Sequence, residues 1–114
     1  MLESKTIAAI STAKGKGGVA MIRISGNDAL NVAKRVFKLR ANDIVPRHIY
    51  YGEIVRDGDI IDDGTLVYFQ APNSYTGEHV CEICCHGGLY IMQKVLRLVF
   101  SLGAVPAAPG EFTK

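Results

Sequence analysis

Three groups of residues in this chain could carry chemistry. The first is Gly15-Lys16-Gly17-Gly18-Val19-Ala20, whose glycine spacing formally matches a dinucleotide-binding fingerprint. That fingerprint works only where it opens a helix whose amino end holds a pyrophosphate. Here the following residues, VAMIRI, read as a strand. A phosphate-cradling P-loop needs Gly-Lys followed by Ser or Thr, yet Lys14 and Lys16 are each followed by glycine. The stretch therefore reads as a connection between strands, and no nucleotide is expected on it.

The second group is Cys81-x-x-Cys84-Cys85-His86, which has the residue types of a zinc site. On a strand, side chains alternate between faces, so Cys81 and Cys84 point to opposite sides and cannot share one ion without a local turn. Buried free cysteines behave as small apolar residues. No metal is expected.

The third group is a pair of charges inside apolar runs: Arg23 in VAMIRI, and Glu82 between Cys81 and Ile83. Removing an ion from water costs several kcal/mol unless opposite charge and hydrogen bonds compensate. The two side chains therefore either pair with each other or with solvent, or they meet a polar ligand. A guanidinium donates two parallel hydrogen bonds to a carboxylate or to carbonyls, and a carboxylate accepts the same from an amino-pyrimidinone edge. A folate carries both kinds of edge.

These residues must be positioned by the elements around them. Residues 6 to 11 and 19 to 24 are short β-branched or apolar runs and read as strands. NDALNVAKRVFKL then places Leu30, Ala33, Val36 and Phe37 at helical spacing, with Asn27 or Asp28 available as cap. Residues 48 to 55 and 60 to 69 read as strands joined by Arg56-Asp57-Gly58-Asp59, whose Asp-Gly pair suits a tight hairpin. A turn at Pro72-Asn73-Ser74 leads to a strand over 79 to 85. Gly87 and Gly88 then precede a helix, LYIMQKVLRLVFSL, with Leu89, Met92, Leu96 and Val99 in one stripe and Gly103 at its end. Two strands, helix, three strands, helix is the order of an α+β domain and lacks the strict alternation of a doubly wound parallel sheet. The whole of residues 1 to 114 is expected to form one domain.

A chain of 114 residues with 48% hydrophobic content can bury a core without metal or disulfide support. The net charge of +2 is too small by itself to indicate nucleic-acid binding. The charge is nevertheless uneven: residues 1 to 50 hold nine Lys or Arg against three acids, and residues 51 to 114 hold four against eight. The halves either complement each other within one domain or face different partners. Three clustered cysteines fit a reducing compartment, and no segment has the roughly 18 apolar residues of a membrane span. A cytoplasmic protein is expected. The ending PAAPGEFTK reads as a turn within something longer, so the chain is expected to be a piece of a larger protein.

TIAAISTAKGKGGVAMIRISG, APNSYTGEHVCEICCHGG and LGAVPAAPGEFTK, in this order and spacing, resemble the amino-terminal domain of the tRNA-modification GTPase family called MnmE or TrmE. The likeness covers nearly the whole chain. Departures fall at Ala13, Lys14 and Ala108, where the family usually has prolines in the first loop and an arginine before PGEF. The resemblance implies a fold similar to half of the folate-binding region of glycine-cleavage aminomethyltransferases. It implies a homodimer in which first strands are exchanged, with a reduced folate (5-formyl- or methylene-tetrahydrofolate) bound at the interface. The family's folate contacts map onto Arg23 and Glu82, and a third, a lysine, falls beyond Lys114. For the complete protein it implies GTP hydrolysis, with Mg and K in a GTPase domain absent here, a flavoprotein partner, and modification of the wobble uridine of tRNA. It implies no complete catalytic centre in this piece, and neither a membrane nor a DNA partner. Two other readings compete: a folate-dependent aminomethyltransferase, and a dimerisation or RNA-binding module using the basic amino-terminal half.

Overall fold

A computed structural model describes residues 5 to 12, 20 to 39, 43 to 72 and 77 to 107. Its elements are β1 (Ile7–Thr12), β2 (Ala20–Ser25), α1 (Ala29–Val36), β3 (Phe37–Lys38), β4 (Ile49–Arg56), β5 (Asp59–Phe69), β6 (Val80–Cys85), α2 (Leu89–Ser101) and β7 (Val105–Pro106). The strands form one seven-stranded sheet in the order β3-β4-β5-β6-β2-β1-β7. All neighbours are antiparallel except β1 and β7. The domain is α+β, with two edge strands of two residues added to the order read from the sequence. The Gly15–Val19 part of the glycine-rich stretch, the Asn73-Ser74 turn and the terminal PGEFTK lie outside the described residues.

Alternation along the central strands sets the layers. Ile22 and Ile24 of β2, Cys81 and Ile83 of β6, and Leu66 of β5 are fully buried. Against that face pack α1, through Ala29, Val32, Ala33 and Val36, and α2, through Met92, Val95 and Val99. Each fully buried aliphatic side chain contributes about 1.5 to 3 kcal/mol. This face is therefore where the stability of the domain is concentrated. The helices touch each other and lie on the same side, so among the described residues no helix packs on the opposite face.

Two helical readings need correction. The apolar spacing runs through Phe37, but α1 stops at Val36: Phe37 is 2% exposed and pairs as a strand residue with Ile54. Burial of the largest side chain in that segment overrides helical propensity. In α2 the buried stripe is Met92, Val95 and Val99, while Leu89 is half-exposed and Leu96 only partly covered. An eye for leucine spacing sets the stripe one position too far round.

Caps also come from unexpected places. Asp28 occupies the N-cap of α1 but its side chain makes no capping bond. Instead the Asp28 amide donates to Thr6 Oγ1 at 3.1 Å, from the start of β1. Gly26, between β2 and α1, has φ of 140°, and a Cβ there would lie 2.7 Å from Thr6. The close approach of these two elements therefore requires glycine. The hairpin between β4 and β5 is as expected, with positive φ at Asp57 and Gly58.

The start of α2 is held from a distant strand. Asp62 of β5 accepts the Gly87 amide at 2.6 Å and the Asp63 amide at 2.9 Å. Slight burial pushes its carboxyl up, but these amides outweigh it and hold the group below its ordinary 3.8. A depressed folded pKa gives stability that is present above 3.8 and is lost as pH falls through the folded value. Asp62→Ala is expected to cost about 1 kcal/mol at neutral pH. In urea unfolding the gap between variant and native protein should narrow as pH drops below 3.8.

Candidate functional site

The alternation that buries Ile22 and Ile24 turns Arg23 to the helix-free face, and that burying Cys81 and Ile83 does the same for Glu82. Since β2 and β6 are neighbours, the register sets Arg23 directly opposite Glu82. Residues 59 apart in sequence thus form one ion pair. Arg23 Nε donates to Glu82 Oε2 at 3.0 Å and Nη2 donates to the same oxygen at 2.8 Å. The side chains are 17% and 20% exposed. No described residue bonds Glu82 Oε1.

The surroundings of the pair are small or apolar. Ala9 of β1 lies beside Arg23, and Val67 of β5 beside Glu82. One row along stand Met21, Cys84 and Thr65, then Tyr51 of β4, which is 78% exposed. A pocket of about 280 Å³ opens there, lined by Tyr51, Asp63, Thr65, Cys84, Cys85 and His86. In the other direction the row is Ser25 and Val80, both fully buried, and Ser25 Oγ donates to Glu78 Oε1 at 3.3 Å. That end is anchored by His79, whose Nδ1 accepts the Ala71 amide at 3.2 Å and lies 3.0 Å from the Tyr68 hydroxyl. An acceptor Nδ1 places the ring hydrogen on Nε2.

The site therefore presents a fixed donor fork and an adjacent carboxylate, poorly hydrated, on a flat strand surface. Such a pair binds a ligand that brings both donors and acceptors more readily than one bringing a single charge. Each charge already has a partner, and separating them uncompensated is expensive.

The cysteines do not join this chemistry. Cys81 faces the core, Cys84 the helix-free face, and Cys85 packs toward the core with its thiol 3.6 Å from the Gly88 carbonyl. His86 turns to Asp63 at 3.3 Å. Among the described residues no three His, Cys, Asp or Glu side chains come together to hold a metal ion. Burial raises all three thiols, Cys81 to about 12.

The profile of the family described as GTP-binding protein TrmE N-terminus matches residues 6–114. The chain belongs to that family. Relatives that match nearly the whole chain carry the name tRNA modification GTPase MnmE. Those of Helicobacter pylori (strain HPAG1), Clostridioides difficile (strain 630) and Geobacter sulfurreducens are each 47% identical to it, over 96%, 100% and 100% of its length. The matched region is 23%, 26% and 26% of those proteins, so the chain spans about a quarter of their length. The span matched by the TrmE amino-terminal family contains every described element, including β2 and β6, which carry the ion pair.

Two outcomes test this geometry. Arg23→Ala and Glu82→Ala should each destabilise the domain by about 2 kcal/mol, whereas Arg23→Leu with Glu82→Leu should return it to within about 1 kcal/mol of native. In a urea-unfolding cycle made with leucine at both positions, a double-variant cost equal to the sum of the two single costs would mean that the pair is not coupled. In the folded chain at pH 8, iodoacetamide should modify Cys84 and Cys85 well before Cys81, read by peptide mass spectrometry.

Proposed function

We propose that this chain is the reduced-folate-binding and dimer-forming domain at the amino terminus of a GTPase that modifies tRNA. The observation that carries the reading is the Arg23–Glu82 pair, four-fifths buried on the sheet face opposite α1 and α2. A reduced folate has an amino-pyrimidinone edge rich in N–H donors, together with carbonyl and carboxylate acceptors. The Glu82 carboxylate accepts from the first, through Oε1 without disturbing the bonds to Oε2, and the Arg23 guanidinium donates to the second. Low hydration strengthens both sets of bonds. Ala9 and Val67 beside the pair leave room for a flat ring to lie against the strands.

The homodimer completes the site in this reading. Two copies of a domain similar to half of the aminomethyltransferase folate region supply the two halves that a single chain supplies there. Exchange of first strands would keep the register Ile7 to Ser25 through Thr12 to Ala20, now made with the partner's β2, so little binding energy need change. The folate, when bound, supplies the one-carbon unit. Arg23 and Glu82 orient it and carry no proton in the chemistry. In the complete cytoplasmic protein, GTP hydrolysis in a separate domain using Mg and K, together with a flavoprotein partner, directs that unit to the wobble uridine of tRNA. The names of the relatives support the tRNA and GTPase parts of this proposal.

Calorimetric titration with 5-formyl-tetrahydrofolate, run beside sedimentation, tests the assignment. One site per chain in a dimer is expected, and Glu82→Ala should abolish binding while the dimer persists. Unchanged folate affinity in Glu82→Ala would defeat the role given to Glu82.

A further inference from the structure

We infer that the outward stripe of α2, Tyr90, Lys94 and Arg97, together with Arg56 of the β4–β5 hairpin, is an RNA-binding surface; the inference rests on the reading that the complete protein works on tRNA. Positions 90, 94 and 97 are spaced i, i+4, i+7 and so share one side of the helix, away from the buried Met92, Val95 and Val99. Tyr90 is 67% exposed, and Lys94 Nζ lies over its ring, 4.9 Å from the centroid. Further along, Lys94, Arg97 and Ser101 line a groove of about 520 Å³ with Leu98, Arg56 and Asp57.

Three cations therefore converge on one concavity lined by one acid, Asp57, with Asp59 across the hairpin from Arg56. Among the described residues no ion pair neutralises Arg56, Lys94 or Arg97. Neither α1 nor α2 contains an Asp or Glu, and α1 adds exposed Lys34 and Arg35 to the same layer. Uncompensated like charges repel one another, and an anion spread along a chain relieves them all at once. The exposed aromatic decides between polyanions. A base stacks on such a ring while the neighbouring cations take its phosphates, a combination that suits RNA with unpaired nucleotides.

Charge counting along the chain hides this surface, because Arg56, Lys94 and Arg97 belong to the half with an acidic balance. Folding places Asp59, Asp62 and Asp63 along β5 and leaves the helices without acids.

The test uses the full-length protein and fluorescein-labelled bulk tRNA, followed by anisotropy between about 50 and 200 mM salt. Lys94→Glu with Arg97→Glu should weaken binding about tenfold or more at the low-salt end and flatten the log–log salt dependence by about 0.7 per cation removed. Tyr90→Ala should weaken binding about fivefold or more with the slope unchanged. Native affinity and slope in both variants would overturn the proposal. So would competition by polyglutamate as effective as unlabelled tRNA with Tyr90→Ala indistinguishable from native, which would give the surface to an acidic protein. The variants should keep native folate affinity, measured on the same samples. The wobble-uridine content of cellular tRNA reports separately on the overall functional reading.

Discussion

The domain depends on burying one face of its sheet. Ile22, Ile24, Cys81, Ile83 and Leu66 lose all contact with water beneath α1 and α2, and that burial locks β2, β6 and β5 in one register. A slip of one residue in β2 and β6 would send Arg23 and Glu82 into the core and turn Ile22, Ile24 and Ile83 out to water. The cost of that error is far larger than any energy the ion pair contributes by itself. The hydrophobic layer thus holds the polar site in place, although none of its atoms belongs to that site.

Much of this was legible in the chain, because period-two alternation and the Asp57-Gly58 turn are local signals. An arginine between Met21-Ile22 and Ile24, and a glutamate between Cys81 and Ile83, stand out against apolar neighbours and mark residues that need partners. What they meet is settled by strand order. That β6 lies between β5 and β2 is a long-range fact that no window of residues contains. The same limit explains the capping of α1 by Thr6 and the hold of Asp62 on Gly87, each linking residues more than twenty positions apart. Phe37 leaves the helix for a related reason: its helical spacing is a local preference, and its packing in the sheet is a tertiary one.

Folding also sorts the charges by surface. The helices carry cations and no acids, β5 gathers Asp59, Asp62 and Asp63, and the helix-free face holds the Arg23–Glu82 pair. A sequence that runs from a basic half to an acidic half thus becomes a fold whose helices and central strands differ in charge.

The far edge of the sheet has a further consequence. In β7 the amides of Val105 and Ala107 donate inward, to the carbonyls of Thr6 and Ala8. The residue between them, whose amide would point outward, is Pro106, which has no N–H to offer. A strand approaching from solvent finds no donor at the position where pairing would begin. At this border the sheet thus ends on a proline, which limits edge-to-edge strand pairing without a helix to cover it.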